Sequence, residues 1–177
     1  MAQTELIDRF VASAIDTLAT VQRIPSNGSA LNSALLQAAG GDELIFLAEP
    51  DDIAPELFTQ FKKNERVIVG PTRDQMRTIR VGVTDAFCGI ASTGSICVSI
   101  TRNLSGPASS LTRKHIAVVE GRTILPRPRD VFSEEFLGGR GLSRSFSFIT
   151  GPSATADMGP LVHGVHGPGI LHIIILE

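Results

Sequence analysis

The last quarter of the chain restricts its fold more than any other segment. A strand-like run, Ser145 to Thr150, leads into Gly151-Pro152-Ser153-Ala154-Thr155-Ala156-Asp157. A second glycine-proline stretch, Gly164-Val165-His166-Gly167-Pro168-Gly169, then feeds the apolar run Leu171-His172-Ile173-Ile174-Ile175-Leu176. So continuous an apolar run reads as a strand buried on both faces, as in parallel sheets. Glycine lets backbone approach a ligand or a neighbouring element closely, and a Ser or Thr just behind it can cap a helix. Exposed N–H groups at such a turn favour an anion.

Upstream, the pattern alternates between helix and strand. Leu6, Phe10, Ala14, Leu18 and Val21 recur at helical spacing, which predicts an amphipathic helix from Thr4 to Arg23. Pro25-Ser26-Asn27-Gly28 breaks it, and a second helix runs from Ala30 to Ala39 until Gly40-Gly41. Leu44 to Ala48 reads as a strand, Asp51-Asp52 as the start of a helix ending near Lys63, and Val67 to Val69 as a strand. Thr72 and Gln75 have capping-box spacing, so a helix begins there. Its strand–Gly-Pro-Thr–helix order is echoed at Gly151-Pro152-Ser153. Strands are expected at Ile79–Val83, Gly89–Ala91, Ile96–Ile100, His115–Val119, Ser145–Thr150 and Leu171–Leu176. Thr101 to Lys114, polar and holding Gly106-Pro107, reads as a loop, and Asp130 as the cap of a helix ending at Gly138-Gly139. The sum is an α/β domain: a mainly parallel, Rossmann-like sheet flanked by helices. One domain is expected over residues 1–177, helical over 1–40 and sheet-containing over 41–177.

Composition narrows the function. A net charge of -2 gives the whole chain no pull toward nucleic acid, and without Trp or Tyr it has little to stack bases on. No apolar run is long enough to span a membrane. Acidic residues within the first apolar pattern (Glu5, Asp8, Asp16) argue against a leader, so a cytoplasmic location is expected. Two cysteines, Cys88 and Cys97, are too few for an iron–sulfur cluster and read as small buried strand residues. No cofactor is expected.

Four groups of residues carry candidate chemistry. Gly151, Pro152, Ser153 and Thr155 could form an anion site at the carboxyl end of a strand, with Asp157 as base or polar clamp; the alternative is an ordinary helix start. Ser92, Thr93, Gly94 and Ser95 lie between two strands and line a pocket or form a hairpin turn. Of His115, His163, His166 and His172, none has a ligating Cys or Glu nearby, so no metal is expected. His166, between Gly164 and Gly167, is the best general acid/base candidate of the four. Arg140 and Arg144 bracket a glycine-rich loop and, with Arg113, Arg127 and Arg129, read chiefly as solvated surface.

At these motifs the chain resembles the lactate-utilization protein C family, also called the LUD-domain family. The resemblance runs from about Val67 to the C-terminus. It rests on Val81-Gly82-Val83-Thr84, Gly89 to Ser95, His115 to Val119, Gly151 to Asp157, and Gly164-Val165-His166-Gly167-Pro168 with Leu171-His172. It implies a fold similar to the NagB/RpiA/CoA transferase-like group and a role beside iron–sulfur partner proteins in oxidising L-lactate to pyruvate. The family pattern usually carries charge where this chain has Phe87, Ser92, Ala154 and Gly159. Turn-forming glycines and prolines are kept and polar equipment is altered, which leaves Asp157 and His166 as the catalytic candidates. Three readings follow: an accessory subunit of lactate oxidation that binds a small anionic metabolite; an independent CoA transferase- or isomerase-like enzyme on a small carboxylate or phosphate ester; and a catalytically silent binding module. The final strand, if it lies at a sheet edge, offers a surface for homo-oligomerisation.

Overall fold

The computed structural model describes residues 2–41, 43–101, 103–138, 145–156 and 159–177. Six strands form a parallel sheet: β1 (Thr20–Ile24), β2 (Ile45–Leu47), β3 (Val67–Val69), β4 (Val81–Asp85), β7 (Lys114–Glu120) and β12 (Ile170–Leu176), in the order β1-β12-β7-β4-β2-β3. A second sheet of four strands, in the order β8-β5-β6-β9, combines β5 (Cys88–Ile90), β6 (Ser95–Ile100), β8 (Ile124–Leu125) and β9 (Ser145–Ile149). A short ribbon pairs β10 (Ala154–Thr155) with β11 (Val162–His163). The expected α/β architecture with a mostly parallel sheet is present; the antiparallel pairing of β5, β6 and β9 is an addition to it.

Alternation along the strands sorts the core into layers. On one face, Val81, Val83, Ile116, Val118 and Ile174 pack against Leu31 and Leu35 of α2 (Gly28–Ala39) and against Phe58 and Phe61. On the other, Ala117, Val119, Ile173 and Ile175 meet Leu6, Phe10 and Ala14 of α1 (Gln3–Asp16) together with Ile96 and Val98 of the second sheet. The second sheet's far side buries Phe87, Cys88, Ile90, Cys97 and Val131.

Several elements differ from the sequence reading, each for a local reason. The first helix stops at Asp16, because Leu18 turns left-handed (φ 69) and Thr20 to Ile24 leave to pair with β12. Asp51 and Asp52 start no helix. Their amides, with that of Ile53, point at the Asp85 carboxylate, and a 3-10 turn begins only at Pro55, running into α3 (Thr59–Lys62). The capping box at Thr72 and Gln75 forms as read and opens α4 (Arg73–Thr78). Residues 101–114 hold a helix, α5 (Ser105–Ser110), because Pro107 sits in its first turn, where its missing N–H costs nothing. Ser133, not Asp130, caps α6 (Glu134–Leu137). β12 lies between β1 and β7, so it is no sheet edge; the edges are β1 and β3.

Candidate functional site

Gly151-Pro152-Ser153 does not lead into a helix. Gly151 is left-handed (φ 66), and a Cβ there would lie 2.1 Å from the Thr17 carbonyl, so only glycine carries the chain past the end of α1. The chain then turns into the β10–β11 ribbon. The Ser153 amide donates to the Pro168 carbonyl (2.8 Å) and the Gly164 amide to the Ser153 carbonyl (2.9 Å). The two glycine-proline turns therefore clasp each other, and these two amides serve that clasp instead of a ligand.

Together the turns wall a pocket of about 280 Å³. Gly151, Pro152, Ser153, His166, Gly167 and Pro168 form one side. Ser147 to Thr150 of β9 and its turn, Ser109 and Ser110 of α5, His115 and Leu171 complete it. His115 and Leu171 are the second residues of β7 and β12, so the pocket lies at the amino ends of the parallel strands. The expectation of a carboxyl-end position is corrected here: β9, which delivers the turn, belongs to the antiparallel sheet. Among the described residues that line it there is no Asp, Glu, Lys or Arg, and the polar groups there are hydroxyls, backbone and two imidazoles.

Of the other candidates, Thr93 and Ser95 reach the pocket indirectly. The Thr93, Ser95 and Thr150 hydroxyls form a chain with 2.7 Å at each step, and Thr150 lines the cavity. Ser92 and Gly94 do not line it; they form the β5–β6 turn, where Gly94 (φ 64) sits with its Cα against the backbone of α1. Thr155 pairs with Val162 in the ribbon. Asp157, Arg140 and Arg144 lie outside the described residues. His163 is exposed on β11, and the Nδ1 of His172 is 2.7 Å from the Thr20 hydroxyl. Among the described residues no group of three His, Cys, Asp or Glu side chains is placed to hold a metal ion. Phe87 stacks on Phe136 and Phe146 with ring centroids 5.1 and 5.0 Å away. That position is apolar packing here.

Two further titratable residues, His115 and Asp85, are buried. His115 is 1% exposed; its Nε2 lies 2.9 Å from the Thr84 hydroxyl and burial pushes its pKa down to about 3. Its partner is a side chain on the neighbouring strand. Asp85 ends β4 at the crevice between β2 and β4, where the strand order reverses. One of its oxygens accepts the amides of Asp51, Asp52 and Ile53 at 2.9, 2.6 and 3.0 Å. Burial nevertheless raises its pKa to about 6, against the pull of those amides. The available signal was a carboxylate closing an otherwise apolar strand, Val81-Gly82-Val83-Thr84-Asp85.

Comparison with known proteins agrees with this architecture. Lactate utilization protein C of Bacillus subtilis (strain 168) is 32% identical over 92 residues, covering 50% of this chain and 38% of that protein. The protein of the same name from Bacillus velezensis is 25% identical over 171 residues, covering 93% of this chain and 69% of the relative. Across the first four such relatives the chain spans between 38% and 56% of their length. The crystal structure of a DUF162 family protein from Deinococcus radiodurans has the same fold, with a TM-score of 0.72 at 21% identity, covering 100% of this chain and 99% of that one. The LUD domain family matches residues 10–176, so nearly the whole chain is accounted for and it belongs to the LUD domain family.

Proposed function

We propose that this chain serves in lactate utilisation as a C-type protein. In this reading it binds a small carboxylate between the two glycine-proline turns and works beside iron–sulfur proteins that take up the electrons of L-lactate oxidation. The observation that carries the reading is the pocket: two clasped turns bring Thr150, Ser153 and His166 around a cavity of about 280 Å³. Ligand clefts commonly run from roughly 300 to 1,000 Å³. This one is at the lower limit, which suits an acid of a few carbons better than a coenzyme A thioester. Hydroxyls and imidazoles can hold a carboxylate by hydrogen bonds and still accommodate either a hydroxyl or a carbonyl on the neighbouring carbon. His166, on the exposed turn, is the group positioned to exchange a proton with that carbon's oxygen. The names of the relatives supply the metabolic setting. Oxidation of lactate to pyruvate releases two electrons and two protons. Cys88 and Cys97, opposed across a buried hairpin, fall short of a four-thiolate cluster, so the electrons pass to a partner in this reading.

Calorimetric titration of the full chain with L-lactate and pyruvate tests the pocket. Saturable binding is expected, weakened roughly ten-fold by His166→Ala or Ser153→Ala. Absence of saturable binding, or equal binding by both variants, refutes it. Anaerobic purification of the tagged chain from its host tests the setting: iron–sulfur proteins should come with it, and an iron-free preparation argues for a chain acting alone.

A further inference from the structure

Buried polar atoms in folded proteins nearly always have a partner, and an exception calls for an explanation. His115 is such an exception on the pocket wall. Its Nε2 is engaged with Thr84, while its Nδ1 is buried without a partner. The hydroxyls of Ser109 and Ser110 on the same wall do not serve it. Both turn back to the Gly106 carbonyl, at 3.1 and 2.7 Å.

The contact with Thr84 determines which nitrogen carries the proton. If Nε2–H donated to the Thr84 oxygen, the hydroxyl hydrogen of Thr84 and the lone pair of Nδ1 would both be stranded in the interior. If the Thr84 hydroxyl donates to Nε2, its hydrogen is used, and the only group left over is Nδ1–H. The second arrangement strands one group in place of two and is therefore favoured. Burial keeps the ring neutral, since its pKa falls to about 3. His115 thus lines the pocket with an uncharged Nδ1–H that has no acceptor among the described residues.

We propose that His115, fixed in its Nδ1–H tautomer by Thr84, donates this hydrogen to an oxygen of the small carboxylate bound in the pocket. The assignment rests on the pocket reading given above and adds its ligand chemistry. A neutral donor suits a carboxylate or carbonyl oxygen and gives nothing to an ammonium group, so the site favours small carboxylates over amines. His115 is then a binding residue and Thr84 a positioning residue that acts through it.

Long-range imidazole nitrogen spectra of the full, isotope-labelled chain test this, with the His115 signals identified by their loss in His115→Asn. The free protein should show His115 protonated at Nδ1, and L-lactate, pyruvate or acetate should each shift that Nδ1 signal. Thr84→Val, nearly isosteric, should relax the tautomer and weaken binding roughly ten-fold. His115→Asn, whose amide nitrogen takes the place of Nδ1, should retain more affinity than His115→Gln, which places it toward Nε2. A ring protonated at Nε2, or lactate binding that leaves the Nδ1 signal unmoved, overturns the proposal and leaves the lactate reading standing. A signal that responds to acetate but not to lactate or pyruvate does the reverse. Silence toward all three probes overturns both.

Discussion

At the scale of single residues, Asp85 and His115 give the protein two opposed responses to acid. Asp85 has its carboxyl pKa raised to about 6 by burial, so the folded state holds that proton more tightly than the unfolded chain does. Its contribution to stability therefore grows as pH falls from about 6 toward 4. His115 has its pKa pushed down to about 3, so below its ordinary value of 6.5 the unfolded chain takes up a proton that the folded state refuses. Its contribution is lost as pH falls through that window. Each slope is at most about 1.4 kcal/mol per pH unit, and between about pH 4 and 6 they largely cancel. Asp85→Asn removes one of the pair. Urea midpoints taken across this window should show the variant losing stability with acid more steeply than the parent; parallel curves would mean that Asp85 titrates normally. Asp85→Ala is a different lesion. It leaves the amides of Asp51, Asp52 and Ile53 without their acceptor, and a loss of about 2–4 kcal/mol is expected at neutral pH.

Elements are held here by turns as much as by strands. β9 ends at Ile149, and the chain clears the end of α1 only through Gly151. Gly151→Ala would pay twice, once for a left-handed alanine and once for a Cβ driven into the Thr17 carbonyl at 2.1 Å. A destabilisation of more than about 2 kcal/mol is expected, along with loss of ligand binding, because Ser153 and His166 are placed by the same clasp. Thermal melting with titration of pyruvate checks both. A variant that melts like the parent and binds normally would show that the turn does not position the site. The capping box of α4 is the opposite case. It was readable from Thr72 and Gln75 alone because the interaction is local, three residues apart.

For the molecule as a whole, the order of strands matters more than their number. β12 is the last strand in sequence and is hydrogen-bonded on both sides, to β1 and to β7. Ile173, Ile174 and Ile175 send side chains into the cores on both faces of the sheet. The sheet therefore cannot close until β12 is in place. Removal of residues 170–177 should abolish cooperative unfolding, followed by circular dichroism, and in the intact chain the slowest amide exchange should fall in β7 and β12. A truncated chain that still melts sharply would mean that the second sheet with α1 forms a core by itself. The pocket follows from the same order, because β7 and β12 are neighbours and bring His115 and Leu171 side by side.

The sequence by itself determined the elements whose cause is local. Apolar continuity marked β4, β7 and β12, helical spacing with Asn27-Gly28 and Gly40 marked α2, and the glycine-proline pairs marked the two turns. It also brought Gly151, Ser153, His166 and Gly167 forward as candidates, and these do line one pocket. Tertiary structure decided the rest. Thr20 to Ile24 continued a helical pattern and became a strand, because an open edge of β12 offered hydrogen bonds that the helix could not match. Periodicity could not show that β9 would join an antiparallel sheet and carry the Gly151 turn to the amino ends of β7 and β12. The buried environments of His115 and Asp85 were invisible for the same reason. Burial, an unmatched Nδ1 and three converging amides arise only when segments distant in the chain are brought into contact, and no short stretch of sequence encodes that meeting.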